Sequence, residues 1–270
     1  MAHRPPIINV MVGAALKAAR GLIRDFGEVE QLQVSKKGPA DFVSEADRRA
    51  ERLLKAELGK ARPDYAFLME ETGASPGAPG APRWLVDPLD GTSNFLHGLP
   101  HFAISIAVEE ANGDVSAGVI YDPVKDEMFW AVRGEGAYLN DRRLRVSGRE
   151  KLLECLLATG IPFAGREGFD SFSHILAHVM PKVAGIRRFG AAALDLAYVA
   201  AGRYDGFWEQ GLSPWDIAAG LLLVREAGGI VTDIKGGDKM LATGGLIAAN
   251  PHIHSRIHKL IYQGMKAAKA

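Results

Sequence analysis

Closely spaced carboxylates are the first chemistry this chain offers. In WLVDPLDGTSNF, Trp84 to Phe95, Asp87 and Asp90 flank a Pro-Leu step at the end of an apolar run, and Gly91, Thr92 and Ser93 follow at once. Further acidic signals stand elsewhere: Asp47 in FVSEAD, Glu70 and Glu71 in LMEETG, and Asp216 in SPWDIAAG. Each has an ordinary structural use. Asp47 suits the positive end of a helix, the glutamates a solvated strand end, and Asp90-Gly91 a hairpin turn. Ser213, Pro214 and Asp216 fit the N-cap, first and third positions of a helix. Taken together they supply hard oxygen ligands, which Mg²⁺ prefers to sulfur or imidazole. Adjacent carboxylates oppose one another's ionisation, so such a set calls for cations. Gly91-Thr92-Ser93 adds backbone N–H groups and hydroxyls, a nest for phosphate oxygens. Metal carboxylates beside an anion cradle imply metal-assisted phosphoryl transfer to water.

The elements that must hold these residues read as two halves. A first helix carries Ile8, Met11, Ala15, Leu16, Ala19 and Ile23 on one face, the spacing of an amphipathic helix. KKGPAD reads as a polar loop into a second helix, with Ser44 as N-cap and Asp47 in its first turn. DYAFLMEETG is a short strand, GASPGAPGAP an exposed loop, and AISIAVEE, VSAGVIYD and EMFWAVRG are neighbouring strands of an antiparallel sheet. From about residue 150 strands and helices alternate. LLECLLATG, YDGFWEQ, IVTDI and LIAAN are strands, set among helices at FSHILAHVMPKVAG, GAAALDLAYVAAGR, PWDIAAGLLLVREAGG and the C-terminus. The expected class is α/β in one compact unit: an α+β half over 1–145 and an α/β half over 146–270.

Bulk properties exclude several functions. Hydrophobic residues make up 47% and charged residues 24%, ordinary for a globular protein, and the formal net charge is zero. A balanced charge argues against a nucleic-acid footprint. No apolar run reads as a membrane span. The lone Cys155, in an apolar run, reads as a buried inert thiol and points to a reducing, cytoplasmic setting. HILAH and HSRIH place His174/His178 and His254/His258 at i, i+4 but without a third ligand, and read as surface helix histidines. RGEGAY reads as a turn rather than a dinucleotide loop.

At this point the residues resemble a known family. WLVDPLDGTSNF matches W-x-x-D-P-x-D-G-T-x-N-F, and PWDIAAGLLLVREAGG matches W-D-x-A-x-G with an E-A-G-G end. These are the two signatures of the inositol monophosphatase family, within a magnesium-dependent, lithium-sensitive phosphatase superfamily. The resemblance runs from the first helix to LIAAN. It implies a layered αβαβα sandwich with the site between the halves, and two to three Mg²⁺ per site. Glu70, Asp87 and the Leu89 carbonyl would hold the first ion, and Asp87, Asp90 and Asp216 the second, with a weaker third on Glu70 and waters. Thr92, bonded to Asp47, would orient the attacking water, and the Gly91 and Thr92 amides would hold phosphate, with Ser93 beside them. Asp90, Gly190, Ala191, Ala192 and Glu209 would meet the alcohol, and Lys36 falls where the family has a mobile lysine. The implied substrate is inositol monophosphate. The same chemistry on fructose bisphosphate, histidinol phosphate or a phosphoadenosine nucleotide is the enzymatic alternative, and a regulatory or RNA-associated role the alternative of another class. A homodimer is expected.

Overall fold

Two β-sheets alternate with three helical layers in the computed structural model, which describes residues 4–28, 34–38, 41–162 and 167–268, with the backbone alone at 34–38 and 41–44. The outer layer is α1 (Pro6–Phe26) on α2 (Glu45–Ala61). Beneath lies an eight-stranded sheet in the order β10-β9-β8-β7-β6-β5-β3-β4. Its strands are β3 (Ala66–Met69), β4 (Gly73–Ser75), β5 (Arg83–Asp90), β6 (Ala103–Glu109), β7 (Val115–Asp122), β8 (Glu127–Val132), β9 (Gly136–Leu139) and β10 (Arg142–Arg143). The middle layer is α5 (Ala192–Ala200) with α6 (Pro214–Glu226). A five-stranded sheet follows in the order β12-β11-β13-β15-β14, built from β11 (Leu156–Thr159), β12 (Gly185–Arg187), β13 (Gly206–Glu209), β14 (Ile230–Thr232) and β15 (Leu246–Ala249). The last layer pairs α4 (Phe169–Val179) with α8 (His254–Ala267). This is the αβαβα sandwich, and a separate core fills each of the two outer gaps and the region around α5 and α6.

Several local expectations are corrected. The sheet of the first half is mixed, because β3 runs parallel to β5 while the other neighbours are antiparallel. KKGPAD is no plain loop: β1 (Val34–Gly38) and β2 (Asp41–Ser44) pair as an antiparallel ribbon, with Lys36 opposite Phe42. The Lys36 side chain and the Ser44 cap lie outside the described residues. GAS in the Pro-Gly stretch forms β4, an edge strand. Leu16 and Ile23 are 40% and 41% exposed, because they sit about a third of a turn from the centre of the buried stripe Ile8–Met11–Ala15–Ala18–Leu22. At 21 residues α1 is, by length and composition, long and apolar enough to cross a membrane, contrary to the sequence reading. It instead buries Ile8, Met11 and Leu22 in the core it shares with α2 and the first sheet. His254 is also no surface residue; it is 7% exposed beside the Thr232 hydroxyl, since α8 turns that face to the second sheet. Cys155 is fully buried, and burial pushes its thiol up to about 11.

The middle layer explains the second signature. A Cβ on Gly118 of β7 would lie 2.9 Å from the Ala219 Cα, and one on Gly220 would lie 2.5 Å from the Leu196 side chain of α5. Small residues therefore let α6 approach both a strand and a helix. At its far end the Glu226 carboxylate accepts the Gly134 and Gly136 N–H groups at 2.9 and 2.8 Å. Those glycines form the β8–β9 turn with φ of 80° and 93°, so RGEGAY is a turn, as expected. The E of E-A-G-G fastens α6 to the first sheet.

Candidate active site

A β-bulge sets the spacing of Asp87 and Asp90. Regular strands alternate faces, so residues three apart point in opposite directions. Here Asp87 pairs with Ser105 and Asp90 with Ala103, so β5 carries one extra residue against β6. Leu85 belongs to the core around α5 and α6, while Trp84, Val86 and Leu89 belong to the core under α1 and α2. The bulge restores the alternation, and both aspartates point toward the middle layer. Pro88 sits in the bulge, where its missing N–H costs no ladder bond. The aspartates thus lie within β5 rather than in a turn after it. The Leu89 N–H donates to Asp87 Oδ1 at 2.9 Å, and the Ala193 N–H of α5 donates to Asp90 Oδ2 at 2.8 Å.

Gly91 follows with φ 90° and caps α3 (Thr92–Leu96). A Cβ there would stand 3.0 Å from the His101 carbonyl and 3.3 Å from the Ala191 Cβ, so both conformation and space require glycine. The Thr92 hydroxyl lies 3.0 Å from Asp47 Oδ1 and 3.0 Å from the Leu89 carbonyl. Asp47 is fully buried in the first turn of α2. Asn94 donates to the His101 and Phe189 carbonyls at 2.8 and 2.7 Å, and Phe95 packs between Phe26 and Phe102. The N-F of the signature is therefore scaffold. Asp216 serves two ends: the Ser213 N–H donates to its Oδ2 at 2.7 Å in a capping box, and the residue also lines the cavity.

That cavity, about 440 Å³, is walled by Glu70, Asp87, Leu89, Asp90, Gly91, Thr92, Ser93, Gly190, Ala192, Glu209 and Asp216 among others. Asp47 stands behind the wall, bonded to Thr92. Ala191, expected at the alcohol, is fully buried beneath Gly91 and is not part of the wall. Sequence reasoning missed Gly160, Ile161, Pro162, Phe172, Arg188 and Trp208, which also line it. Only the basic pair before Gly190 carried any signal for these.

Burial, then the Glu70, Asp90 and Asp216 carboxylates, push Asp87 well above the ordinary carboxylate range. Burial and then Asp216 do the same to Asp90, against the downward pull of the Ala193 amide. Among the described residues no three acidic, imidazole or thiol groups close into a ready-made metal cage. The arrangement can present several oxygen ligands, a hydroxyl with a carboxylate behind it, and first-turn amides to one bound anion.

Known proteins resemble this chain in sequence and in fold. The family model described as the inositol monophosphatase family matches residues 3–267. The chain is 58% identical over 264 residues to an inositol-1-monophosphatase of Mesorhizobium japonicum, covering 98% of this chain and 99% of that one. It is 48% identical to a Pseudomonas aeruginosa protein named Nus factor SuhB, over 91% of this chain and 92% of the relative. The crystal structure of extragenic suppressor protein suhB from Bartonella henselae matches with a TM-score of 0.93 at 56% identity, covering 95% of this chain and 98% of that one. With its two signatures and its five layers in agreement, this chain belongs to the inositol monophosphatase family.

Proposed function

We propose that the chain is a Mg²⁺-dependent phosphate monoester hydrolase whose substrate is inositol monophosphate. The observation that carries this reading is one cavity lined by Glu70, Asp87, Asp90 and Asp216, with Thr92 and Glu209 on the same wall. The acidic ligands suit a hard cation, since Asp87 and Asp90 are driven toward protonation unless positive charge stands beside them. Glu70, Asp87 and the Leu89 carbonyl would hold one Mg²⁺, Asp87, Asp90 and Asp216 a second, and Glu70 with waters a third. Bound there, Mg²⁺ supplies positive charge to the phosphoryl oxygens and the departing alkoxide. The rest is the work of the chain. The Gly91 and Thr92 amides, at a helix start with no intrahelical partner, hold phosphate oxygens. Thr92 donates its proton to Asp47 and accepts one from the attacking water, which fixes that water's orientation. Glu209 accepts hydrogen bonds from the alcohol's hydroxyls.

Phosphate release from inositol phosphate, fructose bisphosphate, histidinol phosphate and a phosphoadenosine nucleotide, with and without Mg²⁺, tests the reading. The expected result is Mg²⁺-dependent release with the highest kcat/KM on inositol phosphate and inhibition by millimolar Li⁺. A large preference for another ester overturns the substrate. A second reading, a regulatory role, draws support from the Pseudomonas relative's name; absence of hydrolysis on every ester would favour it. We also propose a homodimer, supported by the exposed apolar Leu99 and Phe189 and tested by light scattering.

A further inference from the structure

Gly160 follows β11 at the cavity, directly beyond Thr159, whose backbone pairs with Trp208 of β13. The Thr159 hydroxyl donates to the Trp208 carbonyl at 2.8 Å, which fixes the two strand ends against each other. Glu209 is the next residue on β13. A Cβ built on Gly160 would fall inside van der Waals contact of the Glu209 carboxylate carbon and of both its oxygens. The backbone at Gly160 is not left-handed, in contrast to Gly91 and Gly190. Nothing in its φ therefore calls for glycine. The space does. Some other crowded glycines differ in kind: at Gly77, Gly118, Gly244 and Gly264 an added Cβ would first strike main chain, a fold requirement. At Gly160 the three nearest atoms all belong to the Glu209 carboxylate, the far end of a long side chain, and it is this carboxylate that would have to shift.

We propose that Gly160 is a specificity-determining position: the missing side chain is the seat of the Glu209 carboxylate, so the enzyme favours phosphate monoesters whose alcohol carries hydroxyl donors near the ester. Gly160 touches no reacting atom and acts through Glu209, as a positioning residue. The proposal rests on the reading of Glu209 as acceptor for the alcohol's hydroxyls.

The test is a double-mutant cycle on Gly160→Ala and Glu209→Ala with Mg²⁺ present, using inositol 1-phosphate and phenyl phosphate, whose alcohol has no second hydroxyl. Gly160→Ala is expected to lower kcat/KM on inositol phosphate by about tenfold or more, mainly through KM, and to change phenyl phosphate by less than about twofold. Added to Glu209→Ala it should do no further harm. Equal loss on both esters, or a full additional loss in the double variant, overturns the proposal. If Glu209→Ala leaves the ratio of the two esters unchanged, the assignment of Glu209 itself is wrong; if Glu209→Ala shifts that ratio and Gly160→Ala does not, Gly160 alone is wrong. In the double variant the new methyl meets no carboxylate, so it should fold even where Gly160→Ala alone does not; a double variant that fails to fold also overturns the proposal.

Discussion

The Thr92 hydroxyl has one proton and two acceptors, Asp47 Oδ1 and the Leu89 carbonyl, at 3.0 Å each. Drawing the Leu89 oxygen toward a cation would leave Asp47 as the one acceptor of that proton, which fixes the direction in which the Thr92 lone pairs face water. Thr92→Val keeps the shape and removes this function. It is expected to lower kcat by about 10²–10⁴-fold with KM little changed, measured by phosphate release. Cys155 makes the opposite kind of prediction. A thiol raised to about 11 is roughly one part in a thousand thiolate at pH 8, so iodoacetamide should label it only after unfolding. The carboxylates were legible in the sequence because their types and spacing announce hard-metal chemistry. The bulge that aims them was not, because a single strand carries no record of its partner's register. Gly160 was silent for a related reason: only Glu209, far along the chain, gives its bareness a meaning.

Among the elements, α6 was readable and its packing was not. Ser213, Pro214 and Asp216 announce a helix start, whereas the closeness of α6 to β7 and α5 depends on Gly118 meeting Ala219 and Gly220 meeting Leu196 in space. Gly220→Ala should destabilise the protein by about 1–3 kcal/mol, since its Cβ has no room beside Leu196. Gly13, in α1, has nothing within 4 Å of an added Cβ. Gly13→Ala should stabilise by about 0.4–1 kcal/mol. Chemical denaturation of both variants checks that contrast. The ribbon β1–β2 escaped the sequence reading because polar residues with Gly and Pro carry loop chemistry whether or not their backbones pair. His254 escaped because a helix with few apolar residues still needs an inner face.

At the scale of the molecule, the site is a store of unfavourable charge. Asp87, which is buried, and Asp90 stand close to the Glu70 and Asp216 carboxylates, each opposing the others' ionisation. A cation that binds only the folded chain stabilises it by about 2.7 kcal/mol at a hundredfold excess over Kd, which for a chain of this size is roughly 5 °C in Tm. Mg²⁺ should therefore raise Tm and EDTA should reverse it. Asp87→Asn should lose most of that response while melting above the metal-free wild type, having shed one of the opposing charges. Differential scanning calorimetry with and without Mg²⁺ decides it.

The position of α6 between the sheets also has a meaning in time. The face bearing Asp87 and Asp90 leaves the ribosome with β5, while its cover, α6 with Asp216, is made far later. At about 5–20 residues per second that interval is on the order of ten seconds. Until α5 and α6 are made, Leu85, Ile120 and Phe129, side chains that the finished fold buries completely, lack their cover once synthesised. A nascent chain at that stage is without activity and at its most adhesive, and the same helix ends both conditions.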